Sequence, residues 1–131
     1  MNKPATGHHE IDADHERILA LLEKLRYNPE QPEAVVLELV ERFQIHCRDE
    51  EALMRLRKFR GRKAHGAEHK AIEKHFSTAL IEEIRAADSH EGVLGAVDRA
   101  YQMLMDHIQC QDFELALALV RNPPKGKAAR A

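Results

Sequence analysis

Apolar residues recur along this chain at three- and four-residue intervals, in four blocks separated by breakers, with no alternating β-branched run between them. That pattern predicts an all-α protein. The first block puts Ile11, His15, Ile18, Leu22 and Leu25 on one helical face, with Asp12 as the expected N-cap, and the Pro-containing stretch 27–32 ends it. Pro32 suits the first turn of a second helix, whose positions Val36, Leu39, Phe43, His46, Glu50 and Leu53 follow an unbroken 3-4-3-4-3 spacing. Beyond the basic, Gly-containing stretch 58–63, the residues His65, His69, Ile72, Phe76 and Leu80 form a third face, which closes around Asp88, Ser89 and His90. A fourth helix is expected from about Glu91 to Val120, with Leu94, Val97, Tyr101, Leu104, Ile108 and Leu115 inward, before Asn122, Pro123 and Pro124 stop it. Short connections between long helices favour antiparallel neighbours, so the expected fold is an antiparallel up-down-up-down four-helix bundle. Its expected span is 11–121, between an N-terminal tail (1–10) and a disordered basic tail (122–131).

The 131 residues, 44% hydrophobic but only 5% aromatic, suffice for one domain with an aliphatic core. A formal charge of -2, with acids and bases interleaved, leaves no basic stripe, and neither a nucleic-acid nor a membrane partner is expected. No apolar run approaches a membrane span and the start lacks a signal-peptide pattern, which predicts a cytoplasmic protein. Cys47 and Cys110 lie far apart and in no CxxC pair, as suits reduced thiols. The unusual number is nine histidines, because histidine is the commonest metal ligand.

Every predicted helix carries a potential ligand on its buried stripe: His15 on the first, His46 and Glu50 on the second, His65 and His69 on the third, His107 and Asp112 on the fourth. Residues four apart differ by about 40° around a helix, so His46 with Glu50, and His65 with His69, can each face one centre. His107 and Asp112, five apart, differ by roughly 140°, which is poor for a narrow seam unless a local π-turn aligns them. A lone buried histidine is more often a hydrogen-bonded core residue than a ligand. Seven polar side chains on four inward faces are different, since each left unpaired costs free energy that a cation would relieve. Five imidazoles and two carboxylates exceed the needs of one tetrahedral zinc and suit two adjacent first-row ions bridged by carboxylates. Ferritin-like oxidases use Glu-x-x-His pairs, and the chain has none.

These motifs resemble those of bacterial hemerythrins, the HHE cation-binding family. They are Ile11-Asp12-Ala13-Asp14-His15, then His46 to Glu51 with Met54, then His65-x-x-x-His69, then His107-Ile108-x-x-x-Asp112. The match runs over about 11–113. The resemblance implies that His65, His69 and His107 hold one iron and His15 and His46 the other. Glu50, Asp112 and an oxo or hydroxo group would bridge the pair. It further implies reversible dioxygen binding at the open position of one iron, for storage, delivery or sensing. A monomer or weak oligomer is expected, with a binding protein rather than an enzyme as the leading reading.

Three departures lie near the expected gas pocket: Cys47 where phenylalanine is usual, Asp14 where glutamine is common, and no tryptophan. Helical geometry nominates Ile18, Cys47 and Met105 as its lining, with the two sulfurs equally readable as ordinary core. The altered pocket keeps other functions open: a di-iron peroxidase or oxidase, a nitric oxide binder, or a bundle that sequesters iron. His8, His9, His75 and His90 read as solvent-exposed, and Glu51 and the bases at 55–63 as solvated faces.

Overall fold

The first helix, His9–Tyr27, starts one turn earlier than its sequence suggests. Asp12 is not the cap. The His8 ring caps the helix by accepting from the Ile11 N–H at 3.3 Å. Asp12 sits inside the first turn, where its Oδ1 accepts from the Thr6 N–H and hydroxyl and its Oδ2 from the Gly7 N–H. Burial alone would raise the Asp12 pKa, but these donors outweigh it and hold the carboxyl below its ordinary value. With the Asp12 carboxylate taken by Thr6 and Gly7, the cap falls to His8 one turn earlier, and Ile11 packs in a small apolar cluster with Met54, Leu115 and Leu119. The computed structural model describes residues 6–28 and 30–121, so the expected C-terminal tail, 122–131, and the first half of the N-terminal one, 1–5, lie outside the described residues.

The second helix, Pro32–Leu56, has its proline in the first turn as anticipated. Its inward stripe ends on Met54, which is fully buried, rather than on Leu53, which is only half-buried. Lys58, at φ +51°, takes the left-handed conformation that reverses the chain after this helix. The third helix runs continuously over 62–86: Arg62–Lys74 is α-helical, His75–Ala79 a π-turn and Leu80–Ala86 α-helical again. The fourth begins at His90, capped by Ser89 Oγ accepting from the Gly92 N–H. It continues as His90–His107, a second π-turn at Ile108–Asp112, and Phe113–Arg121.

The described residues thus form an all-α four-helix bundle without strands. The first and third helices each pack against the second and fourth. Paired contacts run in opposite order along neighbours. Arg26 meets Asp98 while His15 meets Asp112, and Glu33 meets Arg85 while Glu50 meets His65. A large apolar cluster built from Ile18, Leu22, Leu25, Leu39, Phe43, Ile72, Phe76, Leu80, Val97 and Leu104 fills most of the interior. On the first, second and fourth helices the polar residues named above fall between this cluster and the small one around Ile11. They form a polar layer inside an aliphatic core. No helix among the described residues is long and apolar enough to cross a membrane.

Candidate metal centre

All seven predicted ligands converge in that layer, and all are buried: His15, His46, Glu50, His65, His69, His107 and Asp112. Their donor atoms fall into two groups, each with every atom within 4.8 Å of the others. One group is Glu50, His65, His69, His107 and Asp112, and the other is His15, His46, Glu50 and Asp112. The two carboxylates belong to both.

The distances show how they are shared. Glu50 Oε1 lies 3.3 Å from His46 Nε2, 3.1 Å from His65 Nε2 and 2.9 Å from His69 Nε2. Asp112 Oδ2 accepts from His15 Nε2 at 2.6 Å, while its Oδ1 lies 2.8 Å from His65 Nε2 and 2.9 Å from His107 Nε2. Each carboxylate therefore faces rings of both groups. The π-turn at Ile108–Asp112 makes this possible. An extra residue in the turn lets a five-residue spacing act as a four-residue one, cutting the roughly 140° offset of His107 and Asp112 to about 40°.

Three further carboxylates hold the imidazoles from behind. His46 Nδ1 donates to Asp14 at 3.1 Å, His69 Nδ1 to Glu51 at 3.0 Å and His107 Nδ1 to Glu68 at 2.8 Å. A carboxylate behind Nδ1 keeps the proton there and turns Nε2 toward the centre. Glu51 is thus more than the solvated face its sequence suggests, and Glu68, which the inward stripes do not single out, has the same role. The signal for both was positional: Glu51 follows Glu50, and Glu68 precedes His69, so each flanks a buried ligand position. Asp14, read only as a departure at the pocket, turns out to orient His46. His8 and His75, read as exposed, are half-buried instead. His8 is needed as the cap, and His75 lies in the first π-turn beside Phe76.

The electrostatics follow from the packing. Burial would push the His46 pKa down, but the carboxylates of Asp112, Asp14 and Glu50 outweigh it and hold the ring well above its ordinary value. The same contest raises His65 to about 9, with Asp112 and Glu50 prevailing over burial. Glu50 and Asp112 are driven the other way, burial being overcome by the histidines around them, and both stay ionised far below the usual carboxylate range. Several buried atoms still lack a hydrogen bond, among them His46 Nε2, His107 Nε2, Glu50 Oε2 and Asp112 Oδ1. Unsatisfied buried polar groups cost about 1–3 kcal/mol each. Unpartnered nitrogens and carboxylate oxygens gathered in the interior are, once the rings give up their extra protons, a donor set that fits first-row divalent or trivalent cations.

The nominated pocket residues are buried in the large cluster: Ile18, Cys47 and Met105 share it with Phe43. The Phe43 ring lies 6.2 Å from His46 and 5.9 Å from His69, an apolar wall that sequence reading had placed in the core but not at the site. Burial pushes the Cys47 thiol far up, the nearby carboxylates add to it, and the sulfur stays protonated. From outside, a cleft of about 420 Å³ between the second and third helices reaches Cys47 and His69, with Gln44 and Glu73 hydrogen-bonded at its edge.

A family model described as the hemerythrin HHE cation binding domain matches residues 6–119. Comparison with curated proteins and with solved structures gives no match.

Proposed function

Because the chain belongs to the hemerythrin HHE cation binding domain family, we propose that its buried centre holds two non-heme irons and binds dioxygen reversibly. One observation carries the reading: the seven buried donors fall into two groups that share Glu50 and Asp112. On this reading His65, His69 and His107 hold one iron, His15 and His46 the other, and the two carboxylates serve both. When bound, the iron pair supplies the two electrons that dioxygen takes up on binding and returns on release.

The chain's own residues do the rest. Asp14, Glu51 and Glu68 fix three of the five rings, so the donors are oriented before a cation arrives. Phe43 and Phe76, both buried and with ring centroids 5.3 Å apart, form an apolar wall on the side of His46 and His69. Low polarity there makes any change of net charge costly, which favours a ligand exchange that leaves the charge of the site unaltered. The group with only two histidines has fewer protein donors than the other, and supports the assignment of the gas to that side.

A second reading is favoured by the cleft that reaches Cys47 and His69 from solvent. Through it peroxide or nitric oxide would have access, and turnover of peroxide would replace reversible binding. Metal analysis, together with absorption spectra taken in air, after oxygen removal and after readmission, separates the two. Two irons per chain and a visible band that disappears under vacuum and returns in air are expected. Irreversible bleaching or steady peroxide consumption would establish the second reading, and a colourless protein carrying only zinc would end both.

A further inference from the structure

From Arg55 to Lys70 the sequence carries seven bases against one acid, Glu68, in a chain whose formal charge is -2. The structure gathers four of these bases, Arg55, Arg62, Lys63 and Lys70, around a groove of about 300 Å³ between the second and third helices. Gly66 lies in its floor, where a β-carbon would meet nothing within 4 Å. Among the described residues none of the four cations has a hydrogen bond or ion pair. Glu51, the acid in the groove lining, is already committed to His69, and Glu68, the acid in the stretch from Arg55 to Lys70, to His107. The third helix also begins here, at Arg62, and no side chain caps it. Its first-turn N–H groups and the positive end of its dipole therefore add to the same field.

We propose that this groove binds a small, multiply charged oxyanion of the phosphate class. Four like charges brought together across a shallow groove repel one another, and the interaction is only partly screened over a Debye length of about 8 Å at physiological salt. A dianion relieves that repulsion and accepts charge-assisted hydrogen bonds from both guanidinium groups, which a scattered surface charge could not offer. The volume, at the lower end of the roughly 300–1,000 Å³ usual for ligand sites, suits a phosphate or diphosphate group. A long polyanion is disfavoured, because acids and bases alternate over the rest of the chain and give it no track to follow. The centre and the groove share one wall: Glu51 lines the groove and accepts from His69. The charge of the groove is the same whichever gas or metal the centre binds.

The test is calorimetric titration of the metal-loaded full chain with inorganic phosphate and with pyrophosphate at low ionic strength, beside the double variant R62Q/K63Q. Both mutated side chains are exposed, and a thermal melt monitored by circular dichroism checks that the fold is kept. Saturable binding is expected in the parent, tighter for pyrophosphate than for phosphate and weakening steeply with added chloride. Loss of two charge-assisted contacts should weaken it in the variant by roughly tenfold or more. Equal affinity in parent and variant would place the anion away from this groove and overturn the proposal. So would the absence of any binding at millimolar phosphate, or binding confined to vesicles containing phosphatidic acid.

Discussion

Loading the centre with metal should expel protons, in a number the electrostatics fix. A cation needs neutral imidazole, and without one two rings are held as imidazolium by the carboxylates around them. His65 is raised to about 9, and His46 stands well above its ordinary value of 6.5. Glu50 and Asp112 are already ionised, because their pKa values lie far below neutrality, and they release nothing. At pH 7 the expected yield is therefore about two protons per chain on saturation. The logarithm of the apparent metal affinity should rise with pH at a slope of about two, easing as pH passes roughly 9. Zinc titration in weakly buffered indicator dye, with chelator competition at several pH values, measures both quantities without redox chemistry. The same shifts predict a crossing in stability. His65, raised above its unfolded value, stabilises the metal-free fold fully below pH 6.5, and that contribution is lost as pH rises through about 9; His46 acts in the same direction. The metal-free protein should melt at lower temperature at pH 9.5 than at pH 7, whereas the loaded protein should not. Uptake that releases no protons, with affinity independent of pH between 6.5 and 8.5, would show that the rings are neutral beforehand and refute the reasoning.

Removing the carboxylates that hold the imidazoles, by Asp14→Asn or Glu68→Gln, should lower metal affinity about 10–100-fold while leaving helical circular dichroism unchanged. Chelator competition decides, and unaltered affinity would reduce both acids to solvated surface. Cys47 lies in the large apolar cluster with Ile18 and Met105, so Cys47→Phe should slow the decay of the air-loaded, coloured form by taking a thiol and space for water away from it. Overpacking would cost about 1–3 kcal/mol of stability, and a decay rate identical to the parent's would exclude the thiol from the chemistry. Phe76 is fully buried against Phe43, and Phe76→Ala should destabilise the metal-free fold by about 3–5 kcal/mol in urea denaturation. A loss below about 1 kcal/mol would mean that the core repacks around the gap.

What the sequence made legible, and what it hid, follows from how regular each feature is. Period-3.6 burial fixes which residues face inward almost independently of tertiary detail, so Ile11, His15, Ile18, Leu22 and Leu25 were readable together, as were His65, His69, Ile72, Phe76 and Leu80; all ten are buried. The site residues were legible for the same reason, since polar side chains at core positions break an otherwise apolar stripe. Side chains that touch the site from behind obey no such period. Glu51 and Glu68 are partly exposed acids in a charged sequence; flanking a ligand position marks them only faintly, and the ring each one meets stands on another helix. The start of the first helix is hidden in the sequence because the Asp12 carboxylate bonds back to Thr6 and Gly7, leaving the His8 ring to cap. The two π-turns show a further limit. In the third helix the five inward steps from His65 to Ile84 take 19 residues, where five α-helical turns take about 18. The surplus residue is absorbed by the π-turn at His75–Ala79, which keeps Phe76 and Leu80 facing the core. The same arithmetic applied to His107 and Asp112 had marked that spacing as the weakest in the set. A five-residue interval between two buried ligands on a helix therefore argues for a local π-turn, and its awkwardness on an ideal α-helix is the clue to the distortion that brings Asp112 within reach of both groups.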